Sequence, residues 1–108
     1  MKMNINMKKI VFFLLVQFVA IGAFAQEAAI KEAEVAYTKE DYGKAIELYE
    51  GLLKTHGESA EIYYNLGNAY YKENKIAPAI LNYERALLLD PGDGDIRFNL
   101  QLARQKSV

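Results

Sequence analysis

The chain has 108 residues, of which 52% are apolar and 25% are charged, and its formal net charge at pH 7 is −1. It contains no cysteine, which excludes disulfides, thiol catalysis and thiolate metal sites. The absence of a positive net charge argues against nucleic acid and against anionic lipid surfaces as partners.

The first 25 residues predict a signal peptide. Three lysines stand among the first nine residues, residues 10–21 are almost wholly apolar, and Ala23-Phe24-Ala25 supplies the small–x–small pattern that signal peptidase requires. We therefore expect cleavage after Ala25 and export to the periplasm or the cell envelope. The alternative is an uncleaved membrane anchor, for which the apolar run is short, since a span needs about 20 residues. Residues 26–108 keep ten basic and 14 acidic residues, which gives a net charge of −4.

The rest of the chain repeats itself with a period of 34 residues. A shift of 34 residues gives seven identities: Glu27/Glu61, Tyr37/Tyr71, Ala45/Ala79, Ile46/Ile80, Tyr49/Tyr83, Glu50/Glu84 and Leu53/Leu87. A further shift aligns residues 62–69 with residues 96–103, with four identities and Tyr64 opposite Phe98. This pattern predicts a first repeat at 26–59, a second repeat at 60–93, and a single C-terminal helix at 94–105.

Each repeat has the residues of two packed helices. In the second repeat, Tyr63, Leu66 and Tyr70 recur at helical spacing and so share one helix face. Gly67 and Ala79 are small where two antiparallel helices must approach closely. Turns are predicted at His56-Gly57, Asn74-Lys75 and Asp90-Pro91-Gly92, and Pro78 fits the first turn of a helix. In the first repeat, the residues predicted to pack the two helices together are Ala33, Ala36, Tyr42, Ala45, Tyr49 and Leu52.

Residues 60–93, AEIYYNLGNAYYKENKIAPAILNYERALLLDPGD, resemble the tetratricopeptide repeat family. The positions that match its usual residue types are Leu66, Gly67, Tyr70, Ala79, Ala86 and Pro91. The first repeat departs from the pattern, with Glu32, Ala33 and Gly57 at signature positions. The resemblance implies an all-α tetratricopeptide solenoid: two antiparallel helix pairs and a C-terminal capping helix, after the signal peptide. It also implies a scaffold that binds other proteins.

A closer resemblance covers Glu58 to Arg104 and includes the run Asp95-Ile96-Arg97-Phe98-Asn99-Leu100. This stretch is similar to the tetratricopeptide domain of BatE-type aerotolerance-operon proteins. That resemblance implies an envelope location, a membrane-associated complex with von Willebrand-type proteins, and a role in stress or oxygen tolerance. Members of that family usually continue into membrane-spanning segments and an SH3-like domain. Because this chain stops at Val108, we expect either a truncated product or a short relative.

The first helix of each repeat is expected to line a concave face that binds another envelope protein, as a peptide or as a helix. The predicted binding residues are Tyr37, Tyr64, Asn65, Asn68, Tyr71, Lys72, Phe98 and Asn99. Matching positions in the first repeat include Ile30, Lys31, Glu34 and Thr38. Packing and binding are equally open for Tyr37 and Tyr64, and Asn65 could instead fix the turn between repeats. Asn68 and Tyr71 are expected to project away from the seam between helices.

Some members of the repeat family hold a partner's C-terminal carboxylate with lysine, asparagine and arginine. The resemblance places only Asn65 at such a position, and Ile30, Glu34, Asp95 and Asn99 occupy the others. We therefore expect no carboxylate clamp, since two of these residues would repel an anion.

The sequence offers no catalytic constellation, and we predict no enzyme activity, no cofactor and no metal site. The single histidine, His56, falls in a turn, where a contact with a helix C-terminus is expected. The alternative to a partner-binding scaffold is a self-assembling module. The last helix has more apolar residues than a solvated cap needs, which favours a homo-oligomer: Ile96, Phe98, Leu100, Leu102 and Ala103.

Overall fold

The computed structural model describes the backbone of residues 4–108 and the side chains of residues 4–12 and 24–108. Five helices follow one another: α1 Ile5–Thr38, α2 Tyr42–His56, α3 Ala60–Lys72, α4 Ile76–Leu89 and α5 Gly94–Lys106. No strand occurs in the described part of the chain, which confirms the prediction of an all-α fold. The turns predicted at Asn74-Lys75 and Asp90-Pro91-Gly92 lie between helices, whereas His56 of the predicted His56-Gly57 turn is the last residue of α2.

Helix α1 is 34 residues long and continues past the predicted cleavage bond after Ala25. At a rise of about 1.5 Å per residue it spans roughly 50 Å. Among its described side chains, those that pack against the hydrophobic core begin at Ala29. The predicted signal peptide includes residues 1–3 and the side chains of residues 13–23, which lie outside the described residues, and its cleavage stays a prediction. Over the residues that were described, none of the helices combines the length and apolarity that crossing a membrane requires.

The C-terminal part of α1 packs against α2 and α3 through small and aliphatic side chains. Ala33 is fully buried and Ala36 nearly so, which lets α1 approach its neighbours closely. The other buried members of this core are Ala45, Ile46, Tyr49, Leu52, Ile62, Leu66 and Ala69. This cluster joins the two repeats, because it takes side chains from both α2 and α3.

Helices α3 and α4 form an antiparallel pair with a very close approach. A Cβ atom on Gly67 would lie 2.7 Å from two ring atoms of Tyr83, so a larger residue at this position would force the ring or the helices to shift. Ala79 is fully buried at the same interface, as its small size predicts. The two helices are joined by a three-residue connection in which Asn74 has a φ of 61°, a conformation that asparagine adopts more readily than most residues. Glu40, 34 residues earlier, has the same conformation.

Polar side chains and glycine mark the helix ends. The side chains of Asp41, Ser59 and Asp93 accept hydrogen bonds from backbone N–H groups at the starts of α2, α3 and α5. Gly57 follows α2 with a φ of 88°, a value that suits glycine. Pro78 is the third residue of α4, where its missing N–H has no partner to lose. These features agree with the helix boundaries expected from the sequence.

Helix α5 closes the stack. Ile96, Leu100 and Ala103 are buried on the face that meets α3 and α4. The opposite side of α5 carries Phe98, which is 60% exposed, and Leu102. The last helix therefore covers the second repeat and leaves an apolar surface at the C-terminal end.

Candidate functional site

A cavity of about 290 Å³ lies where α1, α2 and α3 meet, and we call it the concave cavity. The side chains that line it are Glu34, Tyr37, Thr38, Tyr49, Asn65 and Asn68. Three of the residues predicted to bind a partner are therefore brought together here: Tyr37, Asn65 and Asn68. The internal repeat placed these residues on equivalent helices, α1 and α3, and the packing of the two helices puts them side by side.

Tyr49 forms part of the cavity although the sequence assigned it only to the core. Its side chain is 1% exposed, and it reaches the cavity from α2, behind the two helices that supply the other lining residues. The 34-residue match with Tyr83 indicated an apolar packing position for Tyr49 and gave no sign of a cavity. Only the packing of three helices shows that its side chain borders this space.

The concave cavity has an acidic and aromatic character. The pKa of Tyr49 is raised to about 12, first by burial and then by the carboxylates of Glu34 and Glu61. Burial is also the main cause of the raised pKa of Tyr37, with smaller contributions from Tyr42 and Tyr64. Both phenols therefore stay neutral at physiological pH. The lining includes the acidic residue Glu34 and no lysine or arginine.

Asn68 and Asn99 hold three helices together. The Asn68 Oδ1 atom accepts hydrogen bonds from the Tyr83 hydroxyl at 2.5 Å and from Asn99 Nδ2 at 3.0 Å. Asn99 Nδ2 also donates to the Tyr64 hydroxyl at 3.0 Å. The expectation that Asn68 projects away from the seam between helices is therefore wrong, since its carboxamide links α3 to α4 and α5. Asn68 also borders the concave cavity. Its side chain therefore both links the helices and lines the cavity.

Tyr71 is also in the seam. Its ring packs against the buried cluster that contains Ala79, Tyr83 and Leu100. The ammonium of Lys106 lies 4.8 Å from the centre of the Tyr71 ring, which covers part of it through a cation–π contact. The expectation that Tyr71 points away from the seam is wrong as well, since its ring contacts a cluster formed by α4 and α5 together.

The remaining predicted residues lie outside the concave cavity. Lys72 is exposed at the end of α3, and Phe98 is exposed on the outer side of α5. Tyr64 and Asn99 are half-buried and bonded to each other between α3 and α5. Four of the eight predicted residues thus form a hydrogen-bonded or packed seam, and the binding role of all eight stays a prediction.

A second depression, of about 490 Å³, lies between α4 and α5 on another part of the surface. It is mostly apolar, and its lining residues are Glu84, Leu87, Leu88, Pro91, Leu100 and Arg104. Glu84 and Arg104 form a salt bridge at its edge, with an N–O distance of 3.0 Å. Leu88 is 83% exposed. No group of three metal-ligating side chains occurs in the described part of the chain.

Comparison with known proteins finds two similarities. The chain is 33% identical over 67 residues to a peroxisomal targeting signal receptor of Saccharomyces cerevisiae, a match that covers 62% of this chain and 11% of the receptor. The chain thus spans about a tenth of the length of that receptor. Residues 60–93 match the Tetratricopeptide repeat family, with the same boundaries as the second predicted repeat. The helix pair α3–α4 is thus similar to a tetratricopeptide repeat, and it lies within a chain whose described part is helical.

Proposed function

We propose that the chain is a non-enzymatic scaffold that binds another protein on the face formed by α1, α3 and α5. The observation that carries this proposal is the concave cavity, which lies next to a recognised tetratricopeptide repeat. Repeats of this kind bind peptides or proteins, because stacked helix pairs present a continuous surface. Tyr37 and Asn65 offer an aromatic surface and an amide that can pair with a peptide backbone.

The proposal includes an envelope location. Its support is the N-terminal sequence, which has the charge, the apolar run and the small–x–small pattern of a signal peptide. The similarity of residues 58–104 to BatE-type proteins supports the finer proposal of a membrane-associated complex with a role in aerotolerance or stress. In that setting the partner is another envelope protein, and nucleic acid is not expected to bind an acidic chain.

Capture of the partner from solubilised envelope tests this proposal. The full chain with a C-terminal affinity tag is compared with two variants that each introduce an arginine. Asn65→Arg places the long side chain in the concave cavity, and Leu88→Arg places it on the highly exposed position of α4. We expect the parent and Leu88→Arg to capture the same protein and Asn65→Arg to lose it. Loss of capture with Leu88→Arg alone would instead place the contact on the depression between α4 and α5.

A second candidate function is self-assembly through the C-terminal helix. It is favoured by the exposure of Phe98 and Leu102 on the outer side of α5, where a further repeat would pack in a longer solenoid. Sedimentation of the full chain is compared with that of a Phe98→Lys, Leu102→Glu variant. Self-assembly predicts a dimer or larger species for the parent and a monomer of unchanged helicity for the variant. A parent that is monomeric throughout would exclude this function.

A further inference from the structure

We propose that the concave cavity receives the positively charged side chain of a lysine or arginine from the bound peptide. This inference rests on the proposed scaffold function and names the chemistry that the scaffold selects. It follows from three properties of the cavity: its size, its unneutralised carboxylates and its free hydroxyl and aromatic groups.

The size of the cavity suits one side chain. Pockets that bind drug-sized ligands usually have volumes of about 300–1,000 Å³, and the concave cavity has about 290 Å³. It is bordered by helices on three sides, because α1 and α3 supply its walls and Tyr49 of α2 is behind them. A single extended side chain can enter such a space, whereas a helix or a run of large residues would have to remain outside.

The charge of the cavity is negative. Glu34 lines it, and the carboxylate of Glu61, outside the lining, acts with that of Glu34 to raise the pKa of Tyr49. The two salt bridges in the described part of the chain join other residues, so neither of these carboxylates is neutralised by direct pairing. Lys31 is one turn from Glu34 on α1 and borders a separate depression with it, outside the concave cavity. A cation that enters the cavity would therefore find an available carboxylate.

The uncharged groups of the cavity also suit a cation. The hydroxyls of Tyr63, Tyr70 and Tyr83 each donate to a protein acceptor. The Tyr49 hydroxyl, in contrast, donates to no acceptor among the described side chains. It is also not among the side-chain atoms that are fully buried without a hydrogen-bond partner. Its oxygen is therefore free to accept a hydrogen bond from an ammonium or guanidinium group. The half-buried ring of Tyr37 adds an aromatic surface to the lining, and aromatic rings attract cations.

Nuclear magnetic resonance titration of the full chain with N-acetyl-lysine methylamide tests this inference directly. The matched probe N-acetyl-norleucine methylamide has the same aliphatic stem without the ammonium group. We expect the lysine probe to give saturable shifts of the Asn65 and Asn68 side-chain amide signals, and the norleucine probe to give none that saturate. The arginine analogue is expected to behave as the lysine probe does. Equal responses to the lysine and norleucine probes, or no response to either basic probe, would overturn the inference.

Substitution of Glu34 tests whether its carboxylate contributes to binding of the lysine probe. Glu34→Gln is expected to weaken binding of the lysine probe about two- to fivefold, the loss of one partly exposed ion pair. Glu84→Gln removes a carboxylate at the distant α4–α5 depression and is expected to leave binding unchanged. The exposed Glu61 provides a second variant, Glu61→Gln, with a smaller expected loss, which keeps the test decisive if Glu34→Gln does not fold. Unchanged binding in both Glu34→Gln and Glu61→Gln would overturn the inference.

The two proposals fail in different ways. If the pull-down captures a partner but the lysine probe does not bind, the scaffold function stands and the cation-binding cavity is wrong. If the lysine probe binds at the cavity but no partner is captured, the cavity chemistry stands and the scaffold function is contradicted.

Discussion

The close approach of α3 and α4 makes Gly67→Ala a sensitive test of the fold. An added Cβ would lie 2.7 Å from two atoms of the Tyr83 ring and 3.2 Å from a third. The ring cannot easily move, since Tyr83 is 1% exposed and its hydroxyl donates a hydrogen bond to Asn68. Overpacking of this kind costs about 1–3 kcal/mol, and replacing glycine by alanine in a helix recovers about 1 kcal/mol. With a contact this short we expect a net loss of about 1–2 kcal/mol in the free energy of unfolding.

Thermal unfolding followed by circular dichroism measures this loss. For a domain of this size, a net loss of 1–2 kcal/mol corresponds to a fall in Tm of roughly 5–15 °C. Gly51→Ala is the matched control, because Gly51 is in the interior of α2 and a Cβ there would meet nothing within 4 Å. The control should gain about 0.5–1 kcal/mol from helix propensity alone. A Gly67→Ala variant that melts at or above the temperature of the parent would refute the packing argument.

Three further predictions concern the hydrogen bonds and the buried phenols. Asn68→Ala should lower the free energy of unfolding in urea by about 1–3 kcal/mol, because the Tyr83 hydroxyl loses its acceptor and the Asn99 amide loses one of two. A change within experimental error would contradict the hydrogen-bonded seam. The pKa of Tyr49, raised to about 12, means that the folded state keeps a proton which the unfolded chain loses near pH 10. The contribution of Tyr49 to stability is therefore present below pH 10 and is lost as the pH rises towards 12. Over that range, the urea midpoint of Tyr49→Phe should fall less than that of the parent. Parallel curves of urea midpoint against pH would contradict this. Asp93→Ala removes the acceptor for two backbone N–H groups at the start of α5 and should cost about 1 kcal/mol, visible as faster amide exchange in α5 while α2 exchange stays as it was.

Much of the fold could be predicted from the sequence because its signals are local. The turn residues, such as Asn74 and Gly57, mark where the helices end whatever the rest of the chain does. The small residues Gly67 and Ala79 indicate a close helix crossing for a steric reason, and the structure confirms both. The 34-residue period then places equivalent positions on equivalent helices, which is why Tyr37 and Asn65 could be expected on one face.

The orientation of the site residues could not be predicted as well. A helical wheel of α3 predicts that Asn68 and Tyr71 project away from the seam, because it does not show how far the Tyr83 side chain of α4 reaches. The wheel omits α5, which packs beside α3 and α4 and brings Asn99 and Lys106 onto these two side chains. The position of Tyr49 at the cavity likewise depends on three helices. Contacts among three elements leave no periodic signal in any one of them.

The central claim, that the α1–α3–α5 face binds another protein, is tested most directly by the envelope pull-down with the Asn65→Arg and Leu88→Arg variants. The account predicts one specific partner with the parent and with Leu88→Arg, and its loss with Asn65→Arg although that variant keeps the helicity of the parent. Equal capture by a correctly folded Asn65→Arg variant would contradict the claim, since the concave cavity would then be blocked without effect.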